Sequence, residues 1–148
     1  MMKSSAMLIA AILLTGCDTG HGVRRVTSFP GTVVPDQVIS AVKLVPEITS
    51  VKHTTLSGSE VYTLYGNRQE PPCEQYQYNS SKSLGGVIEF RPADYEQTEI
   101  KLYCISFTQM SDQMISRVRQ TMDQVYKSLG TAITNLPPLE SVQETIMK

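Results

Sequence analysis

The stretch TEIKLYCISFT, residues 98–108, alternates Ile100, Leu102 and Cys104 with Lys101, Tyr103 and Ile105, which is the two-residue period of a β-strand. Both sets contain apolar groups, so both faces of this strand need an account. Ile100 and Leu102 face a core. Tyr103, Ile105 and Phe107 lie on the opposite face, which is either covered by the chain itself or binds something.

Working outward, VIEFR (87–91) reads as the preceding strand, joined through PADYEQ (92–97). Before it, ITSVKHTTL (48–56) and EVYTLYG (60–66) are rich in β-branched and aromatic residues and flank the turn-prone SGS, the pattern of a hairpin. The segment NRQEPPCEQYQYNSSKSLGG (67–86) carries paired prolines and glycines and reads as a long loop. Two helices complete the set. Pro35 suits a helix start and Pro46 cannot continue one, while Val38, Ile39, Val42 and Val45 keep helical spacing, so a short helix is expected at 36–45. In SDQMISRVRQTMDQVYKSLG (111–130), Ser111 can cap the amino end and Gly130 the carboxyl end. Met114, Ile115, Val118, Met122, Val125, Tyr126 and Leu129 form one apolar stripe between them, read as core packing rather than a Met-lined groove for a partner helix. The expected fold class is α+β: an antiparallel sheet of about four strands with a short N-terminal and a longer C-terminal helix. A final segment with Leu139, Val142 and Ile146 either docks or frays.

The charges nearly cancel, 13 Lys and Arg against 14 Asp and Glu, and the longest basic run is the pair Arg24–Arg25. Nucleic-acid binding requires a basic patch of several residues on one face, so that class of partner is excluded. At 148 residues one domain is expected.

The chain opens with Lys3 and the apolar run AMLIAAILL (6–14), followed by small residues. This is the pattern of an export signal. A membrane-spanning helix needs about 20 mostly apolar residues, and this run is less than half of that. Leu14-Thr15-Gly16-Cys17 resembles the lipobox of bacterial lipoproteins. That resemblance implies a diacylglyceryl group on the Cys17 thiol, removal of residues 1–16, acylation of the new terminus and a membrane-held protein. Asp18 directly after the cysteine resembles the enteric signal for retention in the inner membrane, with the outer membrane as the alternative. The resemblance covers the first 18 residues and implies nothing about the rest.

With Cys17 lipidated, Cys73 and Cys104 remain, and an oxidising periplasm favours a disulfide between them. Residues 17–32 read as lipid anchor and flexible linker, in which Arg24 and Arg25 are either solvated or near anionic lipid, and 33–148 as a single periplasmic domain.

No catalytic motif emerges. G-x-S-x-G is absent, since Ser57 and Ser59 flank Gly58 in a turn, and His53 is the one histidine expected inside the domain. Asp94, Glu96 and Glu99 read as a solvated acidic loop. There is no C-x-x-C, phosphate loop or dinucleotide glycine pattern, so neither a metal nor a cofactor is expected. Recognition is the expected role, with Tyr62, Tyr65, Tyr76 and Tyr78 around Cys73 as the contact surface, because tyrosine offers large amphipathic contact at low entropy cost. The sequence thus points to a non-catalytic, lipid-anchored accessory factor that binds another envelope protein. The alternative is a membrane-held inhibitor or immunity protein acting through the tyrosine loop or Glu74.

Overall fold

The computed structural model describes residues 20–66, Cys73 and residues 86–147. The elements run β1 (His21–Pro30), α1 (Pro35–Val42), β2 (Ile48–Leu56), β3 (Ser59–Gly66), β4 (Gly86–Pro92), β5 (Gln97–Ser106), α2 (Asp112–Leu129), a 3-10 turn (Leu139–Ser141) and β6 (Gln143–Met147). The class is α+β and every strand pairing is antiparallel. Among the described residues the sheet has six strands in the order β2-β3-β4-β5-β1-β6, not about four.

The two additional strands come from segments with weak pattern. Residues 21–30, expected within a flexible linker, form β1, which pairs with β5 from His21↔Ser106 to Pro30↔Gln97. The final segment, expected either to dock or to fray, docks as β6, paired with β1 from Gly22↔Met147 to Val26↔Gln143. Gly and charge hide a strand from propensity reasoning, yet here they serve the pairing. Gly22 has φ +146°, and a Cβ there would come within 2.1 Å of the Cys104 carbonyl oxygen. No side chain fits where β1 meets β5.

The β2–β3 hairpin forms as its sequence requires. Ser57 and Gly58 both take positive φ, 51° and 82°, as the two-residue loop between Leu56 and Ser59 demands. Between β4 on one side and β1 on the other, β5 is an interior strand, with alternate residues Ile100, Leu102, Cys104 and Ser106 buried and Lys101, Tyr103 and Ile105 half-buried. Cross-strand register puts Ile88 beside Leu102, Phe90 beside Ile100 and Tyr62 beside Ile88. This buried face meets Val38 and Val42 of α1 and Ile115, Val118, Met122, Val125 and Leu129 of α2 in one core. The α2 stripe is therefore core packing. Ser111 caps α2 by accepting a hydrogen bond from the Met114 backbone N–H, and Asp112 and Lys127 sit at the ends that suit their charges. α1 begins at Pro35 and ends at Val42, shorter than its apolar spacing suggested, and backbone turns at Leu44 and Val45 lead into β2.

Cys73 and Cys104 form a disulfide, with their Cα atoms 4.8 Å apart. Cys104 stands on the helix-covered face, and both cysteines are buried.

Candidate functional site

The β4–β5 connection is the most unusual backbone in the described residues. Tyr95 and Glu96 are both left-handed, with φ 61° and 58°, and Gln97 N–H donates to the Asp94 carbonyl at 3.3 Å. Two-residue hairpin loops need such angles and favour Asn-Gly or Asp-Gly there, because a Cβ makes the left-handed region costly. The sequence supplies Tyr-Glu instead. Tyr95 is 93% exposed, the most exposed aromatic side chain among the described residues. Strain of this kind persists where the surroundings hold it and often marks a presented residue. Nothing in the sequence distinguishes this turn from a solvated acidic loop, because φ is not encoded by composition.

A second cluster joins β1, α2 and β6. Arg25, 5% exposed, lies on the helix-covered face of β1 among apolar neighbours. Its Nη1 donates to Asp123 Oδ1 at 2.5 Å and its Nε to Glu144 Oε2 at 2.7 Å, while Arg119 Nε reaches Glu144 Oε1 at 3.0 Å. A buried guanidinium without such partners would be strongly unfavourable. Burial opposes ionisation of Glu144, but the hydrogen bonds and charges of Arg25 and Arg119 outweigh it and hold its carboxyl below the usual value. The cluster opens as a cavity of about 230 Å³. It shares Asp123 and Leu139 with a neighbouring open groove of about 550 Å³, between α2 and residues 136–140, whose wall includes Tyr126 and Lys127. The Tyr126 hydroxyl donates to the Pro137 carbonyl and fixes that wall.

The third cluster contains His53. Its ring stacks on Tyr62 with centroids 4.6 Å apart, and Nε2 is hydrogen-bonded to the Glu60 carboxylate, which also accepts from the Thr55 hydroxyl. The His53 hydrogen bond lowers the Glu60 pKa, with burial opposing and Thr55 assisting. The carboxylate on Nε2 and the stack on Tyr62 fix the orientation of the ring. The hydroxyls beside it do not make a nucleophilic site: Thr55 donates to the same carboxylate, and Tyr62 is fully buried with burial raising its pKa to about 12.

The expected tyrosine surface divides. Tyr62 is a core residue, packed edge-on against Phe90 and 0% exposed, because its strand position faces the helices. It offers no contact surface. Tyr65 is half-buried at the end of β3. Tyr76, Tyr78, Glu74, Cys17 and Asp18 lie outside the described residues. Asp94 precedes the strained turn, Glu96 is part of it, and Glu99 lies in β5. Among the described residues no group of three His, Cys, Asp or Glu side chains could hold a metal ion, and no helix is long and apolar enough to cross a membrane.

Comparison with known proteins gives no match: no family model fits the chain, and no curated protein or solved structure is significantly similar to it.

Proposed function

We propose that this chain is a lipid-anchored envelope lipoprotein, held through Cys17 at the periplasmic face of the inner membrane, where it binds another envelope protein as a non-catalytic accessory or assembly factor. The anchor and its sorting rest on Leu14-Thr15-Gly16-Cys17 and on Asp18. The observation that carries the protein-binding role is the Tyr95–Glu96 turn, where a nearly fully exposed aromatic side chain is kept on two left-handed non-glycine residues. An isolated exposed tyrosine has a low entropy cost on burial in a partner and is a common interface anchor. The Cys73–Cys104 disulfide suits an oxidising compartment.

The test is capture of the lipidated protein from crosslinked native membranes, with Tyr95→Ala and Cys17→Ser forms alongside. The expected result is a reproducible envelope protein that is depleted by either change. A soluble enzyme captured equally by the untethered form would replace the accessory role with that of an inhibitor. Unchanged capture on Tyr95→Ala would remove the turn as the contact.

A further inference from the structure

We propose that the end of the sheet at which β1 begins is a phospholipid-contacting surface, with Phe107, Ile105 and Met147 entering the interfacial region of the bilayer. This rests on the lipid-anchor reading of Cys17.

Three residues, Asp18, Thr19 and Gly20, separate Cys17 from His21, the first residue of β1. Even fully extended, the four links from Cys17 to His21 span at most about 14 Å. The acylated cysteine therefore holds the start of β1 within that distance of the lipid, because β1 is not the flexible linker that its composition suggests.

Among the described residues at that level, Phe107, Ile105 and Met147 are apolar. His21 pairs with Ser106, and Phe107 follows directly, 55% exposed. Gly22 pairs with Ile105 on one side and Met147 on the other, so these two share a row and a face. Both are half-buried. Gly22 has no side chain to stand between them.

The far end of β5 differs in distance and, among the described residues, carries carboxylates. β5 runs from Ser106 to Gln97, about 30 Å at the usual rise per residue. Just beyond Gln97 stand Asp94 and Glu96, carboxylates that an anionic leaflet repels. A short tether at the apolar end and acidic groups at the other stand the domain upright, with the Tyr95 turn presented away from the membrane.

The chain contains no tryptophan, so one substitution makes a single fluorescent reporter. Full-length Phe107→Trp, Met147→Trp and Tyr95→Trp proteins, purified from membranes, are reconstituted into phosphatidylethanolamine–phosphatidylglycerol vesicles with brominated acyl chains. The indoles of Phe107→Trp and Met147→Trp should be quenched by roughly half or more and shifted to the blue, and that of Tyr95→Trp should remain unquenched. Mass spectrometry of the amino-terminal peptide accompanies each sample. Lipid mass on Cys17 with equal quenching at both ends overturns the orientation and leaves the anchor standing. Absence of lipid mass overturns the anchor, and this inference with it.

Discussion

Tyr62 is enclosed by His53 and Phe90, and its hydroxyl is buried without a hydrogen-bond partner among the described residues. An unsatisfied buried hydroxyl costs about 1–3 kcal/mol. Tyr62→Phe is expected to raise stability by about 1 kcal/mol in urea denaturation, and a loss of that size would show that the hydroxyl is paired. Glu144 behaves oppositely, because it neutralises buried Arg25. Its folded-state pKa lies below its ordinary value of 4.5, so its contribution is complete above that value and is lost as pH falls through the lower folded-state value. Glu144→Gln should cost about 1–3 kcal/mol at neutral pH. The variant's stability should also fall less steeply than the native protein's as the buffer is taken from about pH 5 to pH 3; parallel curves would count against the assignment. His53 was legible as a histidine of the domain, though not the only one, since His21 belongs to β1 rather than to a linker; the Glu60 partner of His53, seven residues away along the chain, was not legible. The hairpin register that brings the two side chains together is a property of paired strands.

Among the elements, those with a strong period were readable and those with a special backbone were not. The hairpin at SGS and helix α2 announce themselves through β-branched runs, a capping serine and a 3.6-residue apolar stripe. The β4–β5 turn does not, since Tyr-Glu carries no signal for left-handed angles. Relieving it provides a test: Glu96→Gly should stabilise the protein by about 1 kcal/mol in thermal denaturation, because glycine takes positive φ without a Cβ clash. Unchanged stability would indicate that the turn stores no strain. β1 was missed because Gly22, Arg24, Arg25 and Pro30 argue against a strand locally. The pairing with both β5 and β6 overrides that preference, as tertiary context does for β propensity generally.

At the scale of the whole molecule, the disulfide joins Cys73 to the central strand across a sequence separation of 31. Closing such a loop lowers the entropy of the unfolded chain, for a contribution of about 3–4 kcal/mol. Replacing both cysteines by alanine should lower stability by about that amount, read as a shift in the denaturation midpoint; a change under about 1 kcal/mol would mean that the unfolded chain was already compact there. The cysteine count, with Cys17 assigned to lipid, anticipated this pair. The sequence by itself determined the α+β class, the hairpin, the two helices and their core stripes, because periodicity and capping act between residues close along the chain. Tertiary structure alone decided that the described residues form a sheet of six strands, that Tyr62 is core, that Arg25 is buried between two carboxylates, and that Tyr95 stands exposed at the end opposite His21. Each of these depends on partners brought together by strand pairing and helix packing, and a local pattern of residues carries no record of such partners.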